Sequence, residues 1–487
     1  MTEHPTMLDE REGPRDECGV FGIYAPDHDV ARLAYFALYA LQHRGQESAG
    51  IAAADRGGYV ITQRALGLVS QVFKEHDLRA LGGELAIGHV RYSTTGSNEW
   101  ENSQPVHRSA GSGGNKRELA LAHNGNLINA VELHSELRER GVSFSSTSDS
   151  EIIAALLATH EAQTLEDAIA DVLPRLLGAF STVVMSKDRV CGFRDPAGVR
   201  PLVLGQLGDR YCLASESCAL DIIGAKLLRD VQPGELISIG EDGIRTRQVV
   251  EGAREAFCVF EYIYFARPDS RMGGTVLQAA RGRMGEVLAR EAPTPNADLV
   301  IAVPDSGNPA ARGYARASGI PQDDGFVKNR YVARTFIQPG QELRKHGLRL
   351  KFNPLPEIVG NRRLVVVDDS IVRGNTTRQI IQMLRDAGAL EVHLRISAPP
   401  IRNPCFYGID MHTREEMVAH ERTVEEVAEH LGADSLAYIS LAGVYEAVGG
   451  DRDRHCDACF SGEYPLEGTE EAQGKFAFER SLPVVTS

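Results

Sequence analysis

The sequence predicts an α/β protein of at least two domains, with an α+β first domain and a parallel sheet in the second. At 487 residues the chain is longer than a typical single domain. Short strand-like runs alternate with helical runs across residues 18–250. From residue 251 onward, apolar runs lead through turns into helical patterns, as β-α-β units do. We therefore expect domains at 18–250 and 251–465, preceded by residues 1–17 and followed by a mobile polar tail at 466–487.

The elements of the first domain follow from its apolar patterns. The runs GVFGIY, from Gly19, and ELAIGHVRY, from Glu84, are typical of strands. The run ARLAYFALYAL, from Ala31, is apolar nearly all round and predicts a buried helix. Ser148 and Glu151 have the spacing of a capping box before the apolar run IIAALLA, which predicts the start of another helix.

The second domain contains two short apolar runs, Asp298–Val303 and Leu364–Val367, each followed by a turn and a helical pattern. Gly388 is placed to end the second of these helices, and an alternating strand pattern follows it. This order predicts a parallel sheet, whose ligands bind at the carboxyl ends of the strands.

Composition excludes several classes of function. The net charge of −15 argues against nucleic-acid and anionic-membrane partners. The apolar run that starts at Ala31 is too short to cross a bilayer, and residues 1–17 are too polar for a secretory signal. Eight cysteines in so long a chain are expected to be reduced thiols, ligands or nucleophiles. We therefore expect a cytoplasmic protein.

A candidate phosphate site follows the strand at Leu364–Val367. Two carboxylates come first, and glycine and hydroxyl residues then open a helix: Asp368, Asp369, Arg373, Gly374, Asn375, Thr376 and Thr377. Backbone N–H groups and hydroxyls at a helix start suit a phosphate, while the carboxylates suit ribose hydroxyls or Mg²⁺. The alternative is an ordinary strand-to-helix turn with an aspartate cap. The glycine and hydroxyl residues after the acidic pair favour the phosphate site.

This segment resembles the phosphoribosyl-pyrophosphate motif of type I phosphoribosyltransferases, although Asn375 stands where that family often has threonine. The resemblance implies one Mg²⁺ per subunit, held at Ser306, Asp368 and Asp369. It also implies a flexible basic loop from Lys328 to Lys351 that closes over the substrate. The implied phosphoribosyl-pyrophosphate contacts are Asp305, Ser306, Gly307, Lys328, Asp368, Asp369, Arg373, Gly374, Asn375, Thr376 and Thr377.

Cys18 stands at the head of a predicted strand. A buried cysteine is usually inert, which is our interpretation of Cys191, Cys212 and Cys218. For Cys18 that interpretation is harder to sustain, because four polar clusters follow it: Gln42–Glu47, His89–Thr94, His123–Asn126 and Ser148–Glu151. With Cys18 they resemble the N-terminal-nucleophile glutamine amidotransferases, which implies an αββα sandwich over residues 18–250.

In that family the cysteine is residue one of the mature chain, and its own α-amino group is the base. Such an amine titrates at about 7.7–8.0, whereas an amide nitrogen has no comparable basicity. The resemblance therefore implies that residues 1–17 are a propeptide, removed before Cys18 can act. The alternative is a misassigned start or a disordered tail.

The remaining roles are implied position by position. Cys18 attacks the glutamine side-chain amide, and Asn124 with the Gly125 N–H forms the oxyanion hole. Arg91 binds the glutamine α-carboxylate and Asp149 its α-ammonium group. Residues with ordering or structural roles are Arg44, His43, His89 and His123.

Four further cysteines form a separate candidate site. Cys456 and Cys459 have C-x2-C spacing, with single cysteines at Cys258 and Cys405. Spacing alone leaves a redox pair, zinc and an iron–sulfur cluster open. The resemblance to a cluster-containing branch of the amidotransferases, whose members also carry a propeptide, implies a structural 4Fe-4S cluster.

Together the two resemblances imply an enzyme that moves ammonia from glutamine through an internal channel to phosphoribosyl pyrophosphate. The product would be 5-phosphoribosylamine, in the first step of purine synthesis. The family also implies a homotetramer and feedback inhibition by purine nucleotides. Two alternatives stay open: a same-fold enzyme with another phosphosugar acceptor, and a non-catalytic regulator that senses phosphoribosyl pyrophosphate or purines.

Overall fold

A computed structural model describes residues 18–54, 59–92, 99–111, 117–329, 351–411, 413–466 and 468. The predicted propeptide, most of the predicted flexible loop and nearly all of the predicted tail lie outside these ranges. No helix within them is long and apolar enough to span a membrane.

The first half of the chain folds into two antiparallel sheets flanked by helices. Its strands are β1 Gly19–Tyr24, β2 Ser48–Ala54, β3 Ile61–Leu66, β4 Leu85–Arg91, β5 Val106–Ala110, β6 Arg117–Leu127, β7 Gly178–Met185, β8 Val190–Arg194, β9 Val203–Leu207, β10 Arg210–Ala214, β11 Lys226–Asp230, β12 Glu235–Gly240 and β13 Gly243–Gln248. Its α-helices are α1 Val30–Ala40, α2 Val69–Val72, α3 Glu75–Ala80, α4 Ala130–Glu139, α5 Asp149–Ala158, α6 Leu165–Val172 and α7 Ser217–Ile222.

These elements form four layers. One sheet has the order β11-β9-β10-β1-β4-β2-β3, and the other has the order β13-β12-β8-β7-β6-β5. The sheets pack face to face through apolar side chains such as Val20 and Ile87 on one and Val183 and Ile237 on the other. Helices α1, α2, α3 and α7 cover the outer face of the first sheet, and α4 to α6 cover the second. The expected αββα sandwich is confirmed.

One local prediction was wrong, and another, the helix start at Ser148, was confirmed although its capping differs from the expected capping box. Helix α1 is not buried all round, because it is an outer layer and leaves Phe36 and Tyr39 exposed. The capping box at α5 forms only in part: Ser148 Oγ accepts from Ser150 N–H at 3.3 Å. The Glu151 carboxylate instead accepts from the backbone N–H groups of Ser145 and Ser146, so it stabilises the preceding loop.

The second half is built on a parallel four-stranded sheet, as predicted, in the order β17-β20-β21-β22. Its strands are β14 Phe257–Cys258, β15 Arg271–Met272, β16 Thr275–Val276, β17 Leu299–Ala302, β18 Phe326–Lys328, β19 Phe352–Pro354, β20 Arg363–Asp368, β21 Glu391–Ile396, β22 Ser435–Tyr438 and β23 His455–Cys456. Its α-helices are α8 Leu277–Glu291, α9 Asn308–Ser318, α10 Pro356–Val359, α11 Asn375–Asp386, α12 Val424–Leu431, α13 Leu441–Val448 and α14 Ala458–Ser461.

Short helical turns complete the described structure. Three are 3₁₀ turns, at Trp100–Asn102, Leu173–Arg175 and Arg452–Arg454, and one, at Glu261–Phe265, is π-helical. In the second domain Gly388 lies just beyond α11 with φ +93°, a left-handed position that suits glycine. Strands β17 and β20 are parallel neighbours, and a helix follows each of them. The predicted strand ends and helix starts therefore meet at one edge of the parallel sheet.

Candidate active sites and thiol cluster

Cys18 lies directly before β1, the middle strand of the seven-stranded sheet, and is 6% exposed. Its thiol donates to the carbonyl oxygen of Tyr92 at 3.3 Å. Burial raises the pKa of the Cys18 thiol to about 11, against the opposing effects of the Tyr92 hydrogen bond and the Arg91 charge. The thiol is therefore protonated near neutral pH, and nucleophilic attack requires a base.

Charges of both signs surround this thiol. Arg91 ends β4, the neighbour of β1, and its charge acts on Cys18 together with those of Glu47 and Asp149. Burial would raise the pKa of Asp149, but His123 and backbone N–H groups outweigh it and lower that pKa. A buried cation and a buried carboxylate near one thiol match the carboxylate and ammonium groups of an amino acid.

Asn124 and Gly125 lie on β6, in register with Ser181 and Phe180 of the neighbouring strand β7. The buried Nδ2 of Asn124 has no hydrogen-bond partner among the described residues. Gly125 has φ +146°, and a Cβ there would clash with the carbonyl oxygen of Ala179. Because an unsatisfied buried donor costs free energy, the Asn124 amide is poised for a ligand oxygen.

The nearby histidines contact the scaffold. His89 Nε2 lies 3.0 Å from the carbonyl oxygen of His123, and burial lowers the pKa of His89 to about 3. His123 Nδ1 lies 3.1 Å from Ser150 Oγ, and His43 Nε2 lies 2.7 Å from Glu216. These contacts agree with the interpretation of all three imidazoles as structural.

Sequence reasoning missed a set of residues from the second domain that border this site. Asn126 Nδ2 donates to the carbonyl oxygen of Phe406 at 2.9 Å, and a Cβ on Gly408 would lie 3.3 Å from Gly125 Cα. Glu261 contacts Arg44. No local pattern could have indicated these contacts, because the partners are more than 200 residues apart in the chain.

The predicted phosphate loops lie side by side. Strands β17 and β20 are parallel neighbours, so their carboxyl ends meet. A Cβ on Gly307 would lie 2.5 Å from the Val367 carbonyl oxygen and 3.3 Å from Asp368 Cα, so only glycine permits this approach. Ser306 is half-buried in the same loop. Gly374, with φ +85°, then begins α11.

The acidic pair is buried at the end of β20. Asp369 N–H donates to Asp368 Oδ1 at 2.9 Å, and Ser370 Oγ donates to Asp369 Oδ2 at 2.6 Å. Burial and the charge of Asp369 raise the pKa of Asp368 well above its ordinary value, while the charge of Lys351 lowers it. Two adjacent buried carboxylates are a donor set that fits a hard cation such as Mg²⁺.

The other predicted phosphate contacts surround this pair. Lys328 pairs with Asp305, and Arg373 pairs with Glu416 at 2.6 Å. On α11, Thr377 is buried, whereas Asn375 and Thr376 are partly or fully exposed. The predicted basic residues from 330 to 350 lie outside the described chain.

The four cysteines of the second candidate site converge. Cys258 and Cys456 are register partners in the parallel pair β14 and β23, and Cys459 opens the following helical turn. All four thiols, including that of Cys405, are buried and free of disulfides. The charges of Cys258 and Cys405 contribute to raising the pKa of Cys456, and those of Cys258, Cys405 and Cys456 do the same for Cys459, so the four lie close together.

Four converging buried thiols fit a metal or cluster, because thiolates in an apolar site need cationic partners. In the described part of the chain, no three or more His, Cys, Asp or Glu side chains are arranged to hold one metal ion.

Three other cysteines match the inert interpretation. Cys191, Cys212 and Cys218 are buried, and burial raises the pKa of Cys191 and of Cys212 to about 12. Their thiols are therefore poor nucleophiles.

The fold and its sites define a glutamine amidotransferase domain joined to a domain of the phosphoribosyltransferase class. Residues 89–221 match the family model described as "Glutamine amidotransferase domain". The amidophosphoribosyltransferase of Mycobacterium tuberculosis is 51% identical over 481 residues, covering 96% of this chain and 90% of that protein. That of Bacillus subtilis is 46% identical over 466 residues, covering 95% and 96%.

Two solved structures resemble this chain over nearly its full length. The B. subtilis glutamine phosphoribosylpyrophosphate amidotransferase, determined with ADP and GMP, has a TM-score of 0.88 at 44% identity. The match covers 94% of this chain and 99% of the chain in that structure. A structure described as the allosteric regulatory enzyme of purine biosynthesis has a TM-score of 0.89 at 43% identity, covering 95% and 99%. This chain belongs to the amidophosphoribosyltransferase family.

Proposed function

We propose that this enzyme hydrolyses glutamine at Cys18 and transfers the ammonia to phosphoribosyl pyrophosphate. The products are 5-phosphoribosylamine, glutamate and pyrophosphate, in the first step of purine synthesis. One observation carries the proposal: a single chain holds a buried thiol near charges of both signs and a buried acidic pair beside a second phosphate-type loop. Family membership favours phosphoribosyl pyrophosphate over another phosphosugar, and an enzyme over a regulator.

The base for Cys18 is its own α-amino group, exposed when residues 1–17 are removed as a propeptide. The raised pKa of the thiol supports this assignment, because a thiol with a pKa of about 11 needs a base at neutral pH. A free α-amine titrates at about 7.7–8.0 and takes the thiol proton as the sulfur attacks the glutamine amide. The protonated amine returns this proton to the amide nitrogen, the C–N bond breaks and ammonia leaves, and water then hydrolyses the thioester to glutamate.

Asn124 Nδ2 and the Gly125 N–H stabilise the oxyanion of this reaction, while Arg91 and Asp149 hold the α-carboxylate and α-ammonium groups of glutamine. The unpartnered amide of Asn124 supports the first role. The buried, oppositely charged Arg91 and Asp149 support the second.

At the second site, the loop Asp305–Gly307 and the start of α11 bind the phosphates of phosphoribosyl pyrophosphate. Ser306, Asp368 and Asp369 would hold one Mg²⁺, which supplies positive charge to the leaving pyrophosphate. Lys328, Arg373, Gly374 and the hydroxyl and amide groups up to Thr377 complete the contacts. The approach of Gly307 to Asp368 supports this assignment.

Cys258, Cys405, Cys456 and Cys459 hold a structural 4Fe-4S cluster. Their mutual proximity and burial support the proposal. Chemical analysis of protein purified without oxygen tests it: iron and sulfide are expected in equal amounts, with loss of both in Cys459→Ser. Stoichiometric zinc without iron would refute the cluster.

We further propose a cytoplasmic homotetramer inhibited by purine nucleotides. The eight free cysteines support a reducing compartment. The ADP and GMP of the B. subtilis structure support nucleotide inhibition.

The function is tested with protein purified without oxygen and analysed by intact mass. Chains that begin at Cys18 are expected to release glutamate and pyrophosphate in equal amounts when glutamine and phosphoribosyl pyrophosphate are both supplied. Glutamine turnover at full rate by chains that retain residues 1–17 would refute the proposed base. Glutamate release without pyrophosphate would refute the proposed acceptor.

A further inference from the structure

A buried cluster of opposite charges joins the two domains beneath the thiol. The guanidinium of Arg44 is 1% exposed and lies between the carboxylates of Glu216 and Glu261, neither of which is exposed. It donates to Glu216 at 2.6 Å and to the two oxygens of Glu261 at 2.6 and 3.1 Å. The fork against Glu261 is therefore bidentate, the stronger and more directional arrangement.

The same guanidinium touches the residue that carries the thiol. Arg44 Nε donates to the carbonyl oxygen of Cys18 at 3.0 Å. Because a guanidinium is planar and rigid, fixing its two terminal nitrogens also fixes Nε. The position of the Cys18 backbone therefore depends on the carboxylates that hold Arg44.

The two carboxylates differ in their other partners. Glu216 also contacts His43 Nε2, the backbone N–H of Arg267 and the hydroxyl of Ser270. Arg44 is the only described side chain in ion-pair contact with Glu261. Burial opposes ionisation of Arg44, but Glu261 and Glu216 outweigh it and raise its pKa. Arg44 therefore keeps its charge.

Glu261 belongs to the second domain, and contacts within that domain hold its backbone in place. It begins the π-helical turn Glu261–Phe265, and such turns are rare and frequent at functional sites. Arg281 on α8 donates to the carbonyl oxygens of Tyr262 at 2.8 Å and Ala266 at 2.7 Å, which braces this turn. Arg281 also lies within electrostatic range of Asp369 of the acidic pair.

We propose that Glu261 is a positioning residue of the glutamine site, supplied by the transferase domain, which orients the Cys18 backbone through Arg44. The proposal rests on the proposed nucleophilic role of Cys18. It means that the glutamine site is complete only when the second domain is docked, so ammonia release depends on the presence of the acceptor domain.

The test is Glu261→Gln in the full-length processed enzyme, because glutamine has the shape of glutamate without its charge. We expect kcat for glutamine to fall on the order of tenfold with KM unchanged, because a misplaced nucleophile slows chemistry without weakening binding. Alkylation of Cys18 by iodoacetamide should slow in parallel. Glu286→Gln, which removes a half-buried carboxylate paired with Arg316 in the same domain, is the matched control and should alter neither rate.

A wild-type kcat in Glu261→Gln, or a raised KM with unchanged kcat, overturns the proposal. If the variant does not fold, Glu261→Asp keeps the charge that Arg44 needs but shortens its reach, and a wild-type kcat in it also overturns the proposal. Cys18→Ala separates the two ideas. Glutamine turnover by that variant would refute the nucleophile itself, whereas an inactive Cys18→Ala beside a fully active Glu261→Gln refutes only the role of Glu261.

Discussion

The two active sites of this enzyme are built in opposite ways. The thiol site gathers Cys18, which directly precedes β1, with side chains from β4, β6 and α5. Strands β1 and β4 are neighbours in one sheet, whereas β6 belongs to the sheet packed against it. The phosphate site comes from two loops that each follow one strand of a parallel sheet, β17 and β20. Within each of these loops, the functional groups belong to consecutive or nearly consecutive residues.

The two sites also differ in how their buried carboxylates are stabilised. At the thiol site the carboxylate of Asp149 is stabilised by His123 and backbone N–H groups, which lower its pKa. At the phosphate site Asp368 and Asp369 repel each other, and the pKa of Asp368 is raised. Groups of the protein itself therefore stabilise the Asp149 carboxylate, whereas the acidic pair keeps a charge repulsion that the proposed cation would relieve. Four experiments test this contrast, in order of decreasing effect.

Cys18→Ala is expected to have the largest effect. Glutamine-dependent synthesis should fall at least ~10⁴-fold, because no second thiol can replace the nucleophile. Synthesis from added ammonia should continue, because the phosphate site does not need the thiol. The measurement is phosphoribosylamine formation with each nitrogen source, and loss of both activities would contradict the separation of the two sites.

Asn124→Ala removes the unpartnered amide. We expect kcat for glutamine hydrolysis to fall about 10²–10³-fold, as for other single donors of an oxyanion hole. The KM for glutamine should change little, because the amide acts on the tetrahedral intermediate. Asn129→Ala, a change to a partly buried amide that caps backbone groups beside α4, is the control. Equal losses in both variants would argue against the assignment.

Asp369→Asn should reduce synthesis roughly 10²-fold with either nitrogen source, because the cation site loses one of its carboxylates. Glutamine hydrolysis measured without phosphoribosyl pyrophosphate should stay near the wild-type rate. Initial rates at several Mg²⁺ concentrations provide the measurement. A variant that makes product normally from ammonia would show that the acidic pair does not serve the acceptor.

The smallest expected effect concerns stability. The folded-state pKa of Asp368 is raised above the unfolded value of about 3.9. The free energy of unfolding therefore falls as pH rises from about 3.9 toward the folded-state pKa, because the folded protein must then bury an ionised Asp368. Asp368→Asn removes this cost and should raise the melting temperature on the order of 1–3 °C at pH 8 without Mg²⁺. At pH 4 the gain should nearly vanish. Thermal unfolding at both pH values checks the sign, and an equal gain at both would contradict the charge repulsion.

The contrast also explains which parts of each site could be predicted. The segment from Asp368 to Thr377 carries its chemistry in consecutive residues, and the structure places it at a strand end as expected. Cys18, Asn124 and Asp149 are recognisable through family motifs, but their proximity follows from the pairing of β1 with β4 and from the packing of the second sheet, which contains β6, against the first. The partners Glu216, Glu261 and Gly408 carry no local signal, since their roles exist only as contacts.

By itself the sequence determined the strands and helices, because apolar periodicity and glycine positions are local properties of the chain. It also determined the chemistry available, including the thiols, the acidic pair and the residues of the proposed oxyanion hole. Only the tertiary structure decided which of these groups meet. Burial sets the pKa of Cys18, the place of α1 in an outer layer sets its exposure, and contacts between distant segments place Arg44 between Glu216 and Glu261. Long-range contacts have no sequence signature in a single chain, and in this enzyme they connect the two active sites.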